Sequence, residues 1–215
     1  MVMALNALAN QYGQLKEYDK GFAALDEASA IAAKTNSPGR MATLKNTEYG
    51  PAVETGQAAR GLKALREALA LERKIGAESM VVGSLVDLSD SYLRQRDYER
   101  AASYALQAIT AARRLQRGGS EATARVNLGQ AHLGRGRLLE GKREFEAGLA
   151  YFEASGDKPE LQVVLAEYGE ALERAGDMAG AVLAYHRERA ISDELFKQRR
   201  QKALLELQEK YEAEQ

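Results

Sequence analysis

The chain repeats itself at a fixed step of 40 residues. Tyr18, Ala58, Tyr98, Leu138 and Met178 form one column, and Gly21, Gly61, Ala101, Gly141 and Ala181 another. Leu25, Leu65, Ala105, Phe145 and Tyr185 keep the same phase, as do Ala28, Ala68, Ala108, Gly148 and Glu188. The columns are mostly small where two backbones would meet and mostly bulky where a gap must be filled. A constant period of this size means that each unit is one supersecondary element, able to bury its apolar face only against its neighbours. The chain must therefore stack.

Repeat three shows what the unit is. Leu85, Leu88 and Tyr92 lie at i, i+3 and i+7, one apolar face of a helix. Arg96-Asp97 interrupts that face, and Asp97 is suited to cap the helix that follows. Tyr98, Ala101, Ala102, Ala105 and Ala108 then form a second apolar face with small residues for close approach. In the equivalent turns Gly56, Gly136 and Gly176 supply left-handed helix ends. Asn36, Gly76 and Gly156 mark the exits of second helices, with Pro38 and Pro159 near the next starts. Repeat two departs from the pattern. Tyr49 stands where Gly129 and Gly169 stand, and Gly50-Pro51 falls inside its first helix, where proline is expected to kink or shorten it. That reads either as a tolerated defect or as a local widening for a ligand.

Composition removes several function classes. The 30 basic and 31 acidic residues of the 215 nearly cancel, so no global field favours nucleic acid or an anionic membrane. No cysteine is present, which excludes disulfides and thiolate metal sites. No apolar run approaches the roughly 18 residues of a membrane span. The start, Met1 to Asn6, lacks the layout of a signal peptide and opens inside a helix pattern. A short natural terminus and a piece cut from a longer protein both fit.

Tempting chemistry dissolves into the repeat. Gly136 to Arg143 nearly spells a phosphate-binding loop, but Arg143 replaces the Ser or Thr that would hold magnesium, and no strand precedes it. His132 shares a column with Tyr12 and Tyr92, a packing position, and His186 has no metal-ligand partners at convincing spacing. Glu167, Glu170 and Glu173 read as a solvated face. No nucleophile with a base emerges, so neither catalytic nor metal-binding residues nor a cofactor are expected, and the chain is not expected to be an enzyme.

The order Leu128-Gly129, His132, Gly136, Gly141, Phe145, Gly148, and again Tyr168-Gly169, Leu172, Gly176, Ala181, Tyr185, resembles the tetratricopeptide repeat (TPR). The resemblance covers residues 2 to 196. It implies an all-α, right-handed α-solenoid of five TPR-like helix-turn-helix units, about 1–36, 37–76, 77–116, 117–156 and 157–196, plus a long C-terminal helix over 197–215. Ligands of that family lie in a concave groove lined by first helices. Carried over by column, the groove residues here include Asn6, Asn10, Asn46, Asp90, Arg94, Gln130, Glu170 and Arg174. Carboxamides both donate and accept, so the asparagines could hold an extended peptide backbone. The family's clamp for chaperone C-termini needs cations where Asn6, Gly83 and Asp87 stand, so a co-chaperone role is not expected.

Beyond Ile191 the pattern of the next pair fails and the chain reads as unbroken helix. Leu204, Leu207 and Tyr211 make about one heptad of seam. Ala203 to Glu212 resembles the connector after TPR arrays in bacterial diguanylate cyclases (GGDEF proteins) and histidine kinases. The expected function is a non-catalytic protein- or peptide-binding module, the sensory or scaffold region of such a signalling protein. The alternative is a stand-alone adaptor or peptide-pheromone receptor. A homodimer through the terminal helix fits either; nucleic-acid binding and membrane insertion by this segment do not. The location would be periplasmic if a membrane anchor follows, and otherwise cytoplasmic.

Overall fold

A computed structural model of the chain describes residues 1–213, with side chains through Tyr211. Glu214 and Gln215, the end of the expected connector, lie outside the described residues. Among the described residues there are ten α-helices and no strand. They are α1 (Val2–Gln14), α2 (Tyr18–Lys34), α3 (Pro38–Glu54), α4 (Ala58–Ile75), α5 (Glu78–Arg94), α6 (Tyr98–Arg114), α7 (Gly118–Gly134), α8 (Leu138–Ser155), α9 (Lys158–Arg174) and α10 (Met178–Ala213). The architecture is the all-α stack of helix-turn-helix units that the period implies.

Left-handed residues punctuate the stack. In the turn inside each pair, Lys16, Gly56, Arg96, Gly136 and Gly176 have φ of 59, 74, 58, 74 and 83°. At the exits of second helices Asn36, Gly76, Gln116 and Gly156 have φ of 46, 69, 53 and 72°. The glycines and Asn36 follow from the sequence. Lys16, Arg96 and Gln116 adopt the same geometry without it, at a cost of about 1–2 kcal/mol each that the packed helices on either side must offset. The next member of the exit column is Phe196, and there the chain stays helical, so α10 runs on to Ala213. A bulky aromatic residue resists the left-handed conformation, and Lys197 offers no cap for a new helix.

Aspartates start three of the helices. Asp97 Oδ1 accepts from the Arg100 N–H at 3.1 Å, Asp157 Oδ1 from the Glu160 N–H at 3.2 Å, and Asp177 Oδ1 from the Gly180 N–H at 2.9 Å. Pro38 and Pro159 occupy first-turn positions of α3 and α9.

The expected shortening at Pro51 does not occur. α3 spans 17 residues, the same as α5 and α9. Gly50 before it has no Cβ, which removes one of the clashes that proline imposes, the other lying at the carbonyl one turn back. The pyrrolidine ring also has a place to go, beside Gly13 of α1, where an added Cβ would lie 3.9 Å from it.

The chain divides into two compact units, Met1–Asn127 and Leu128–Gln215. The first buries Leu25, Leu44, Leu65, Leu85, Leu88 and Tyr92, the last stacked on Tyr104 at 5.5 Å between ring centres. The second is built around aromatic rings laid on glycines. Phe145 stacks on Tyr168 at 4.5 Å, and a Cβ added to Gly129 would come within 2.7 Å of the Phe145 ring. Gly169 lies under the Tyr185 ring in the same way. Gly141 brings α8 against Leu133, where a Cβ would sit 2.6 Å from the leucine Cγ. Large residues in one column are matched by absent side chains in the other, which lets paired helices approach without strain.

Candidate ligand-binding face

The first helices of the units carry every groove residue carried over by column, but the structure treats those residues differently. In the first unit, Asn6 is buried, with 7% of its surface exposed, and its Oδ1 has no hydrogen-bond partner among the described residues. Asn10, one turn further along α1, is exposed. Asn46 on α3 is half-buried and its amide is engaged: Nδ2 donates to Glu72 Oε1 at 2.7 Å. Asp90 and Arg94 on α5 pair with each other, Nε to Oδ2 at 2.8 Å. In the second unit, Gln130 Nε2 donates to Glu167 Oε2 at 3.0 Å, and Glu170 meets Arg174 at 3.4 Å.

The partner of Asn46 escaped the sequence analysis. Glu72 on α4 is 0% exposed, although its column otherwise holds Ala32, Ala112, Phe152 and Ser192. Its Oε1 also accepts from the Ser84 hydroxyl at 2.9 Å, and that hydroxyl lies 3.2 Å from Asn46 Oδ1. Its second oxygen, Oε2, is buried with no hydrogen-bond partner among the described residues. A buried carboxylate is costly unless donors or a cation compensate it. Here Asn46 and Ser84 compensate one oxygen only. The signal that could have found Glu72 was in the sequence: one carboxylate in a column whose other members are apolar or a hydroxyl.

Two more carboxylates stand close by on α5. Burial, reinforced by the charges of Asp90 and Glu72, pushes the Asp87 carboxyl up to about 6. Tyr49, whose hydroxyl lies 3.5 Å from Asp90 Oδ2, is raised by its burial and by that carboxylate. Asn46, Tyr49, Glu72, Ser84, Asp87 and Asp90 thus bring helices α3, α4 and α5 together in one polar, acid-rich cluster. Asp87 entered the sequence argument only as a misfit in a chaperone clamp.

The remaining motifs are structural in geometry. Gly136 is the left-handed turn between α7 and α8, Gly141 is a packing glycine, and Lys142 pairs with Asp177. His132 is half-buried with an unpartnered Nδ1, and burial, with Arg137 nearby, holds its pKa below the ordinary histidine value. Among Glu167, Glu170 and Glu173, the last accepts from the Tyr185 hydroxyl at 2.9 Å. Among the described residues, no group of three or more His, Asp or Glu is placed to hold a metal ion, and no helix is long and apolar enough to cross a membrane.

No family model and no curated protein matches the chain. Solved structures do match in fold. BtubC from P. vanneervenii is similar over 90% of this chain and 80% of its own, with a TM-score of 0.77 and 20% identity. RapI in its apo form is similar over 91% and 72%, with a TM-score of 0.79 and 14% identity. A Rap protein complexed with competence and sporulation factor is similar over 88% and 53%, with a TM-score of 0.72 and 16% identity. Further matches include proteins described as having TPR-like repeats and a tetratricopeptide repeat sensor. The fold is that of a TPR-type helical solenoid.

Proposed function

We propose that the chain is a non-catalytic TPR module that binds an extended peptide or a protein segment along the polar faces of its first helices. The observation that carries this reading is the polar strip on α1, α3 and α5, where Asn10, Asn46, Asp87 and Asp90 follow one another with exposed or half-buried side chains. Side-chain amides and carboxylates on rigid helices can satisfy a peptide backbone that would otherwise lose its water. That a Rap protein of similar fold is found complexed with competence and sporulation factor supports this reading. The same strip in this chain is the place for such a ligand, and Gln130, Glu170 and Arg174 form its counterpart in the second unit.

The narrower role, sensory or scaffold region of a diguanylate cyclase, draws only on the connector-like sequence of α10 and on the repeat length. A peptide receptor or adaptor is the reading that the fold comparisons favour. The test is capture of a randomised, end-capped hexapeptide pool by the purified chain, followed by affinity measurement on the enriched peptides. Asn10→Ala combined with Asp90→Ala is expected to weaken binding at least tenfold. Unchanged affinity would remove the strip as the site.

A further inference from the structure

From Phe196 to Tyr211 every side chain of α10 is exposed, so the last turns of that helix bury no face among the described residues. Propensity alone leaves a helix of this length marginal in water, and most helices are held by packing an amphipathic face. Such a face is present. Phe196, Arg200, Ala203, Leu207 and Lys210 follow one another at steps of 4, 3, 4 and 3, the spacing of a two-helix seam, and Leu204 and Tyr211 widen it on one side. Phe196, Leu204, Leu207 and Tyr211 are 64, 53, 65 and 66% exposed. Ile191 and Leu195, on another side of the helix, are half-buried, so the seam stays open even where α10 still packs.

The charges on that face select what covers it. Laid parallel and in register on a second copy, the seam would set Arg200 against Arg200, Lys210 against Lys210 and, one step earlier, Asp193 against Asp193. Reversed, with Phe196 of one copy on Leu207 of the other, Asp193 meets Lys210 and Arg200 meets Ala203. The flanking positions then bring Arg199 beside Glu206. A two-fold axis makes each of these contacts twice. Within their own helix Arg199 and Glu206 are only loosely engaged. Arg199 Nε donates to the Leu195 carbonyl at 3.4 Å, and Lys202 Nζ lies 3.8 Å from Glu206 Oε1, beyond hydrogen-bond length.

We propose that α10 pairs antiparallel with α10 of a second copy of this chain, over residues 193–210, to form a homodimer. This goes beyond the peptide-binding reading and does not rest on it, since the binding strip lies on α1, α3 and α5. The paired stretch is about 27 Å long. That is small for a stable interface, so the dimer is weak and forms in a concentration-dependent way.

The test is sedimentation equilibrium of the whole chain over a wide range of concentration, where monomer and dimer are expected in exchange. Leu207→Lys, at an exposed position, is expected to abolish the dimer and leave the melting temperature unchanged. Arg199→Glu and Glu206→Arg, each of which sets like charges together on both flanks, are expected to weaken self-association about tenfold. Mixed in equal amounts, those two variants should pair with one another, because each supplies the charge that the other lacks. In a parallel pair positions 199 and 206 do not meet, and mixing would restore nothing. A monomer at every concentration, a dimer indifferent to Leu207→Lys, or variants that associate no better mixed than apart would overturn the pairing.

Discussion

The cores of the two units solve the same packing problem by opposite means. Around α8 to α10, Phe145, Tyr168 and Tyr185 lie on Gly129 and Gly169, and the interior is close-packed ring against backbone. Around α3 to α5, a fully buried glutamate and its hydrogen-bonding neighbours occupy positions that the repeat fills elsewhere mainly with apolar side chains. The first arrangement gains from every buried atom. The second tolerates a desolvation cost that no packing need explains. The lesson is that a repetitive chain need not spread its stabilising and costly groups evenly: a unit can break the pattern of its own columns.

That contrast can be broken most forcefully in the aromatic core. Phe145 is 0% exposed, and Phe145→Ala is expected to cost about 3–5 kcal/mol, read as a fall in the chemical-denaturation midpoint. The matching change in the polar core should cost less. Glu72→Met removes the desolvation cost of a buried carboxylate but leaves the Asn46 amide and the Ser84 hydroxyl without their acceptor, and is expected to destabilise the chain by about 1–3 kcal/mol in the same assay. A loss as large as that of Phe145→Ala would show that the carboxylate is essential to the fold.

Acid titration sharpens the comparison further. Asp87 has a folded pKa of about 6, above the ordinary 3.8, under the influence of burial, Asp90 on its own helix and Glu72 on α4, with Tyr49 of α3 facing it. The folded chain therefore keeps a proton that the unfolded chain gives up sooner. The resulting stability is complete below about pH 4 and is lost as the pH rises through about 6, by at most about 3 kcal/mol. Glu121, whose burial is outweighed by hydrogen bonds from Arg113 and Arg125, and Asp177, bonded by Lys142, are held below the ordinary value and act in the opposite sense. The informative quantity is thus the difference between the wild type and Asp87→Asn, measured by thermal melting at pH 4 and pH 7.5. The substitution is expected to raise the melting temperature at pH 7.5 relative to wild type and to leave it nearly unchanged at pH 4. The smallest effect belongs to a feature outside both cores: Asp97→Ala removes the cap of α6 and is expected to lower the melting temperature by about 2–4 °C.

Much of the backbone was legible in advance because it is set by residues near each other in sequence. The left-handed glycines at 56, 76, 136, 156 and 176 and the Asp97 cap act within a single turn of chain, and the 40-residue step repeats such signals from unit to unit. Reading Pro51 by the same local logic missed the full length of α3, where Gly50 before the ring lacks a Cβ and Gly13 on another helix leaves room beside it. Among the candidate site residues, the columns identified positions on the first helices correctly as polar but could not say which were free. Asn10 is exposed, whereas Asn46 is committed to a residue 26 positions away.

The repeating unit, the places where its helices begin and turn, and the apolar faces can all be read from residue order, because they depend on local conformational preference and on periodicity. That Glu72 is sealed from water beside Asn46 and Ser84, with Asp87 and Asp90 on the adjoining helix, appears only when the helices pack. Burial and hydrogen bonding between helices depend on three-dimensional proximity, and a desolvated charge can be recognised only once the atoms around it are in place.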